Sequence, residues 1–421
     1  MGKRWWLWGA FIVVHVAVSW LVETAQGLPQ GDLSLVYQPW AEQALSGGPV
    51  VGIDRPWVYP VLALLPMLLA ASFGPDLYVT CWLVLVTALD AAAFQLLVGR
   101  ATSRRRVVAA WWWLAFVAAL GPIAFARIDA ITVPLAVAAL LLVLRHPRTG
   151  TVLLAIVTWM KVWPAALLGA IVVASRHRWL VVAIGAATSV AIFLVALVFG
   201  SGLNVLSFIT EQAGRGLQIE SPVSTVYMWL AAAGVGGAYV YYDREILTFQ
   251  VTGPGADTTI AAMTPLLIVA IGGTVVFAWT KLRGGAPFAR LFPPLSLALV
   301  SALILFNKVG SPQFATWLIA PVVFGLVVGG VRRYGLVAIV ALIIAALTQT
   351  IYPYLYGWLL VPAPAMVSVL TVRNLAWVAL FVISLVGVHR STRTSPAMLS
   401  RRILEGDHGG PPRRMDVRTG E

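Results

Sequence analysis

The sequence predicts an all-α polytopic membrane protein, and three observations lead to that prediction. Of the 421 residues, 60% are hydrophobic and 11% are charged, whereas a soluble domain carries roughly 25% charged residues. Most of the chain divides into apolar segments close to the ~20 residues that a bilayer-crossing helix needs. Lysine and arginine occur in short clusters between these segments, which is how membrane proteins encode topology. The net charge of +13 therefore indicates membrane lipids, and not nucleic acid, as the surroundings.

We predict about 12 transmembrane helices. Two further apolar segments, 58–73 and 223–242, are predicted to be interfacial or re-entrant, because counting either as a span would place the following basic cluster against the positive-inside rule. A break is expected around Lys161 to Pro164. The predicted spans are 5–23, 78–98, 107–124, 130–145, 151–161, 163–175, 179–199, 259–280, 289–306, 315–331, 334–350 and 372–388.

The charge distribution predicts a plasma-membrane protein with both termini in the cytoplasm. Residues 1–389 form one transmembrane domain, and 390–421 form a basic cytoplasmic tail that we expect to be disordered. Two long polar segments, 24–77 and 200–258, then lie on the outer face, where we expect the chemistry. This topology leaves seven lysines and arginines on the outer side, namely Arg55, Arg127, Lys161, Arg215, Arg244, Lys308 and Arg373.

The first outer segment carries the candidate catalytic carboxylates. Asp32 lies shortly after the first predicted span, and the following "SLVYQPWAEQAL" has the apolar spacing of a short helix on the membrane surface. Asp32 suits a general base acting on an acceptor hydroxyl, but it equally suits the N-cap of that surface helix. Asp54 is the alternative base. Tyr37 and Trp40 are candidates for binding sugar or acceptor.

Two junctions between predicted spans carry isolated charges. Arg127 and Asp129 lie at one of them, and Lys161 lies between tryptophans in a segment too short to cross comfortably. A lysine at membrane depth indicates a functional site, with a phosphate as its natural partner. The alternative is that Lys161 extends to the interface.

Two further outer stretches carry polar candidates. Arg215 and Glu220 lie in a glycine-containing loop of the second outer segment, which suits a flexible lid over a sugar or a solvated loop. Asn307, Lys308 and Gln313 lie at the outer mouth of two apolar spans, where they could hydrogen-bond sugar hydroxyls.

Other chemistries have weaker support. The chain has no Walker A loop, HExxH or CxxC motif, and we predict neither a metal site nor a cofactor. The one acidic D-x-E match, Asp243 and Glu245, is weak evidence for a divalent metal. His15 and Asp90 lie within predicted spans, and they keep a transporter or flippase as an alternative class.

The chain resembles the GT-C superfamily of membrane glycosyltransferases, and in particular glycosyltransferase family 87, the actinobacterial polyprenol-phosphate-mannose-dependent α-1,2-mannosyltransferases. The likeness covers most of residues 5–388. It rests on the stretches "GDLSLVYQPW", "WVYPVLALLP", "GPIAFARIDA", "TWMKVWPAAL", "GRGLQIESPVS" and "NKVGSPQFATW". The Asp32 to Tyr37 spacing is one residue longer than the D-L-x-x-Y spacing common in that family.

The resemblance implies a GT-C-like bundle with juxtamembrane helices on the outer face. It also implies inverting, metal-independent transfer of a sugar, with mannose the first choice, from a polyprenyl phosphate to a hydroxyl of a lipid-linked glycan or glycolipid. An arabinofuranose donor is the alternative. Asp32 would be the base, and the donor phosphate would be bound by Lys161, Arg127, Arg215 and Lys308. The sugar and acceptor would contact Tyr37, Trp40, Asp129, Glu220, Asn307 and Gln313.

Overall fold

The computed structural model describes residues 2–211 and 214–392, so most of the predicted tail at 390–421 lies outside the described residues. Within them the chain forms sixteen α-helices and one β-hairpin. The helices are α1 Gly2–Thr24, α2 Gln38–Leu45, α3 Leu64–Ala71, α4 Tyr78–Val98, α5 Arg104–Leu120, α6 Asp129–Val143, α7 Pro147–Thr158, α8 Ala165–Ala174, α9 Arg178–Val198, α10 Thr225–Ala232, α11 Ala256–Arg283, α12 Phe288–Leu305, α13 Ile319–Gly329, α14 Val331–Gln349, α15 Tyr356–Leu360 and α16 Pro364–His389. The strands are β1 Tyr239–Asp243 and β2 Thr248–Thr252.

The protein is a helical, multi-pass membrane protein. In the described ranges, nine helices are long and apolar enough to cross a bilayer: α1, α4, α5, α9, α11, α12, α13 with the 3₁₀ turn before it, α14 and α16. The predicted count of about twelve is not confirmed. The three remaining predicted spans correspond to α6, α7 and α8, which have 15, 12 and 10 residues. All three are shorter than a helix that crosses the bilayer core unaided.

The predicted break around Lys161 is confirmed. Helix α7 ends at Thr158 and α8 begins at Ala165. Pro164 explains the interruption, because proline donates no backbone hydrogen bond and disfavours helical geometry in the residue before it, here Trp163. The two short helices pack against each other, so the chain turns back at the break.

Both apolar segments predicted to be interfacial or re-entrant lack a spanning helix. The segment 58–73 contains a 3₁₀ turn, Val61–Ala63, followed by the eight-residue α3. The segment 223–242 contains the eight-residue α10 and most of β1. The predicted surface helix is also present, as a π-helical turn, Leu33–Tyr37, that leads into α2.

One β-hairpin lies within the described part of this otherwise helical protein. Strands β1 and β2 pair antiparallel, with Tyr241 opposite Gln250. Alternating tyrosine, valine and phenylalanine residues favour strands over helices here. The turn explains the acidic D-x-E match, because Asp243 Oδ1 accepts backbone N–H groups from Glu245 (3.0 Å) and Ile246 (3.4 Å). This carboxylate stabilises a turn.

The core lies among the central helices. Helices α5, α12 and α13 are mostly buried in the bundle, and α12 packs against α8, α11, α13 and α16. Helices α9 and α11 are largely exposed at its periphery, as expected of helices that face lipid.

The bundle has two ends with different chemistry. We call the end that carries residues 125–128 and 159–164 the site end. The opposite end, which we call the basic end, carries the connections 144–146, 175–177 and 284–287 with their flanking arginines and lysines. Helices α6 and α8 both begin at the site end and finish at the basic end, so they relate the two ends directly.

Candidate functional site

Four charged side chains from three distant parts of the sequence lie together at the site end. Arg127 Nε and Asp32 Oδ2 form an ion pair, 2.9 Å apart. Lys161 Nζ lies 3.6 Å from Asp129 Oδ2. We call these four residues the acid–cation site. The sequence identified all four, and the fold brings them together.

Asp32 is held by the arginine and does not cap a helix. It precedes the π-helical turn before α2, yet its side chain makes no capping hydrogen bond, so the N-cap alternative is wrong. Its side chain is 37% exposed. Arg127 pairs with Oδ2. Among the described residues no group donates a hydrogen bond to Oδ1. One carboxylate oxygen therefore remains available to a proton donor from outside the protein.

Arg127 is fixed from three sides. Its Nη1 donates to the carbonyl oxygens of Pro29 (2.6 Å) and Ala126 (2.7 Å), and its Nη2 donates to the Tyr352 hydroxyl at 3.3 Å. The side chain is 7% exposed. These bonds leave one Nη2 hydrogen without a described acceptor, because a guanidinium carries five N–H donors. Arg127 thus orients Asp32 rigidly.

Gly121 explains how the chain delivers Arg127 to this place. It ends α5 with a φ of +67°, a conformation that favours glycine. The side-chain amide of Gln349 occupies the space that a Cβ at this position would need. The turn leads through a 3₁₀ segment, Gly121–Ala124, into the residues that carry Arg127.

Asp129 is completely buried and lies between an indole and an ammonium group. Its Oδ1 accepts the Trp317 indole N–H at 2.6 Å. Its Oδ2 is buried and accepts no hydrogen bond within the described part of the chain, so the Lys161 ammonium at 3.6 Å balances its charge. The structure therefore places Asp129 behind Lys161, shielded from solvent.

Lys161 is held over an aromatic ring. Its Nζ lies 4.4 Å from the centroid of the Tyr59 ring, and its side chain is 14% exposed. Trp163, two residues on, donates its indole N–H to Thr132 Oγ1 at 3.1 Å and stacks on Trp317 at 5.8 Å. The break between α7 and α8 is thereby anchored to α6.

Aromatic side chains of the first outer segment line one flank of the site. The Tyr37 and Tyr59 hydroxyls lie 3.4 Å apart, and Trp40 packs against both rings as well as Trp57. Burial raises the pKa of Tyr37 well above its ordinary value, with Tyr59 and Asp32 adding to the effect. Tyr37 therefore stays a neutral phenol at physiological pH.

The first outer segment is tied to the rest of the site end. Ser207 of the second outer segment accepts the Trp57 backbone N–H at 2.7 Å, and Asn204 donates to the Ile53 carbonyl at 2.8 Å. The Leu62 backbone N–H donates to the Trp159 carbonyl at 3.0 Å, beside the break. The two outer segments therefore form one connected layer.

The short helices set the depth of the site. At about 1.5 Å per residue, α6 is ~22 Å long, α7 ~18 Å and α8 ~15 Å, against a hydrocarbon core of ~30 Å. When their basic ends lie at one membrane boundary, their site ends lie inside the other. On that placement, Arg127 and Lys161 are recessed from the membrane surface.

Arg215 adds a third cation. Burial lowers the pKa of its guanidinium, partly offset by Tyr59, Glu211 and Asp243. Its Nε is buried and has no hydrogen-bond acceptor among the described residues. Arg215 and Lys161 are close enough to repel each other electrostatically. An anion bound between them would accept a hydrogen bond from the Arg215 Nε and would offset the repulsion between the two cations.

The remaining predicted residues lie in other surroundings. Asp54 is exposed, and its Oδ2 accepts the Val50 backbone N–H at 2.7 Å within a turn. Asn307 Oδ1 accepts the Val309 backbone N–H at 3.0 Å. Lys308 is buried, and its carbonyl accepts the Gln218 backbone N–H at 3.0 Å.

Gln313 is likewise buried, in the 3₁₀ turn Pro312–Leu318 before α13. The segment 307–313 packs on 218–221, where Gly310 lies so close to Ser221 that a Cβ would collide with its backbone. The predicted residues Asn307, Lys308 and Gln313 therefore lie beside Glu220. Asp54 shares a segment with Asp32, but its carboxylate bonds within its own turn and not to the acid–cation site.

Glu220 forms a second ion pair, which sequence reasoning missed. Its Oε2 accepts Arg373 Nη1 at 3.0 Å, and its backbone carbonyl accepts Arg373 Nη2. Arg373 Nε and Nη2 also donate to Asn374 Oδ1, which fixes the guanidinium. Burial raises the pKa of Glu220 to about 7, although Arg373 lowers it in part. The sequence identified Arg373 only as one of seven isolated cations and gave no sign of its partner.

Three aromatic residues of the site were also not predicted: Tyr59, Tyr352 and Trp317. Tyr352 follows a predicted span, and the other two lie within the quoted stretches "WVYPVLALLP" and "NKVGSPQFATW". Their proximity to conspicuous charges depends on contacts between distant segments. Sequence position alone carries no signal for those contacts.

His15 and Asp90, the basis of the transporter alternative, form a buried pair inside the bundle. His15 Nε2 lies 2.9 Å from Asp90 Oδ2, and His15 Nδ1 lies 2.9 Å from the Phe11 carbonyl. The imidazole also stacks on the Phe11 ring at 3.7 Å. Both ring nitrogens have partners, so the pair joins α1 to α4.

Comparisons with known proteins found no match to a family model, to a curated protein or to a solved structure. Within the described ranges, no group of three histidine, cysteine, aspartate or glutamate residues is arranged to hold a metal ion.

Proposed function

We propose that this protein is an integral-membrane glycosyltransferase. It moves a sugar, with mannose the first choice, from a polyprenyl-phosphate donor to a hydroxyl of a lipid-linked glycan or glycolipid. The reaction takes place at the site end, which we assign to the outer face of the plasma membrane, and it inverts the anomeric configuration.

One observation carries the proposal. A carboxylate with one available oxygen, Asp32, lies at a recessed membrane position beside Arg127 and near Lys161. A general base must reach a hydroxyl, and a lipid phosphate needs cations at membrane depth. The acid–cation site supplies both requirements in one place.

The proposed step is a single displacement. Asp32 Oδ1 accepts the proton of the acceptor hydroxyl while that oxygen forms a bond to the anomeric carbon of the donor sugar. The bond from the anomeric carbon to the phosphate oxygen breaks, and its electron pair leaves with the polyprenyl phosphate. Attack opposite the leaving group inverts the anomeric centre.

The cations stabilise the leaving phosphate. Lys161 has ammonium hydrogens that no described group accepts, since its nearest carboxylate oxygen is 3.6 Å away. Arg127 contributes a remaining Nη2 hydrogen, while Arg215 binds the donor phosphate equally before and during transfer through its unpartnered Nε. Cations already in place do not need to reorganise when negative charge develops, so we propose that transfer is independent of metal ions.

The buried carboxylate and the aromatic flank have supporting roles. Asp129 offsets the charge of Lys161 and holds it in position when the phosphate is absent. Tyr37, Trp40 and Tyr59 offer ring faces and hydroxyls to sugar and lipid. Glu220, Asn307, Lys308 and Gln313 lie in the adjoining layer, from which the acceptor approaches.

A transfer assay tests the proposed function. Membranes containing the protein are incubated with radiolabelled polyprenyl-phosphate mannose and a mannolipid acceptor, and in parallel with polyprenyl-phosphate arabinofuranose or a nucleotide-linked mannose. We expect label in the lipid product from a polyprenyl-phosphate donor and none from the nucleotide sugar. Transfer from the nucleotide sugar, or equal transfer by control membranes lacking the protein, would contradict the proposal.

A further inference from the structure

A large cavity lies at the basic end, far from the acid–cation site. It has a volume of about 510 Å³, within the range of roughly 300–1,000 Å³ typical of ligand sites. Its walls come from the ends of α6 and α8, from the start of α9 and from the connection between α11 and α12. Most lining side chains are apolar, including Ile171, Val181, Ile184 and Leu282.

The mouth of this cavity is basic. Arg176 and His177 belong to the lining and are exposed. The bordering segments 143–151, 171–184 and 282–288 contain no aspartate or glutamate. Four further cations lie within these segments and one lies next to them: Arg145, Arg148, Arg178 and Arg283, and Lys281.

The cavity opens where the bundle meets lipid. Helices α9 and α11, which contribute to it, are the most exposed of the nine long apolar helices of the described chain. The Arg178 guanidinium lies 4.5 Å from the centroid of the Trp279 ring, which places a cation and an indole at the level typical of a membrane–water boundary. An apolar cavity with a basic mouth matches a phospholipid, with an acyl chain inside and an anionic headgroup at the rim.

We propose that this cavity is a binding site for an anionic phospholipid of the leaflet at the basic end. One acyl chain enters between α8, α9 and α11, and the headgroup phosphate contacts Arg176, with His177 and the adjoining cations contributing to the attraction. The site is separate from the transferase proposal, because α6 and α8 hold the two sites at their opposite ends.

Lipid binding to the purified full-length protein tests this inference. Native mass spectrometry in neutral detergent would measure the apparent Kd for one dioleoyl phosphatidylglycerol and for one dioleoyl phosphatidylcholine. We expect the anionic lipid to bind at least fivefold more tightly. Arg176→Gln should remove about fivefold of that preference, the effect of one cation near a lipid surface. Ile184→Trp, which fills the cavity, should weaken binding of both lipids.

Arg332→Gln is the matched control, because Arg332 is exposed, lies at the start of α14 and does not line the cavity. It should leave both Kd values unchanged. Equal binding of the two lipids, equal effects of Arg176→Gln and Arg332→Gln, or unchanged binding by Ile184→Trp would each overturn the proposal. Competition by equimolar inorganic phosphate as effective as that by the anionic lipid would instead assign the site to free phosphate.

Discussion

Two ion pairs at the site end join an arginine to a carboxylate distant in sequence, but they differ in exposure. In the Asp32–Arg127 pair the carboxylate is 37% exposed and has one available oxygen, and we call it the open pair. In the Glu220–Arg373 pair the two side chains are 1% and 5% exposed, and we call it the closed pair. The two arginine–carboxylate pairs therefore differ in whether the carboxylate can be reached from outside the protein.

The difference follows from what surrounds each pair. Both arginines donate hydrogen bonds to other protein groups. Arg127 donates to two backbone carbonyls, and Arg373 donates to Asn374 and to the Glu220 carbonyl. Only the open pair leaves its acid accessible. We infer that the open pair acts on substrate, while the closed pair connects the second outer segment to α16.

The largest predicted effect separates the two acids by activity. Asp32→Asn should reduce kcat for sugar transfer about 10²- to 10⁴-fold, the usual contribution of a general base, because the amide cannot take up the hydroxyl proton. Donor binding should change far less. The matched control is Asp54→Asn, an exposed carboxylate of the same outer segment, which should keep kcat within about threefold of wild type. Comparable losses in both variants would remove Asp32 as the base.

The closed pair should control stability. Arg373→Met leaves Glu220 buried without a counter-charge, which costs about 3–5 kcal/mol of unfolding free energy. Thermal unfolding in detergent would measure this, with the exposed Arg333→Met as control. The double variant Glu220→Gln/Arg373→Met should regain part of the loss. A melting temperature equal to wild type for Arg373→Met would show that the pair is not structural.

The closed pair should also make stability depend on pH. Burial raises the pKa of Glu220 from 4.5 to about 7, so the folded state binds this proton more tightly than the unfolded state. Its contribution to stability is full below about pH 4.5, and it is lost as the pH rises to about 7. Glu220→Gln should flatten the unfolding midpoint across that window. An unchanged pH profile in this variant would assign the dependence to another group.

A smaller effect should come from the third cation. Arg215→Gln removes a charge-assisted contact to the donor phosphate, so we expect the KM for the polyprenyl-phosphate donor to rise about tenfold with little change in kcat. Arg244→Gln is the control, since Arg244 lies in the hairpin turn of the same outer segment. If kcat fell and KM did not, Arg215 would act in the transition state instead of in donor binding.

The smallest expected effect concerns metal ions. Because three cations already surround the proposed phosphate position, chelation with EDTA should leave the transfer rate within experimental error. Loss of activity that added Mg²⁺ or Mn²⁺ restores would show that a divalent ion, and not the acid–cation site alone, neutralises the leaving group.

The sequence predicted the membrane class and the break at Lys161 because both depend on local properties, namely apolar length and a proline. Its count of about twelve spans is not confirmed because α6, α7 and α8 are apolar but short, and hydropathy does not report how a short helix is packed. The hairpin was missed because its tyrosines and valines would suit an interfacial helix equally well.

The charged residues of the site were also visible in the sequence, because an isolated Arg127 or Lys161 at membrane depth is costly. Their partners were not. The choice between base and cap for Asp32, and the pairing of Arg373 with Glu220, depend on contacts across 95 and 153 positions of the chain. Those contacts arise from packing, which residue patterns do not encode locally.

The most direct measurement is a structure of the protein bound to a polyprenyl-phosphonate sugar, a donor analogue that cannot transfer its sugar. We expect phosphonate oxygens within about 4 Å of the Lys161 ammonium, with the anomeric carbon facing Asp32 Oδ1 across a gap that admits an acceptor hydroxyl. An analogue bound away from Lys161, or with its sugar directed away from Asp32, would contradict it.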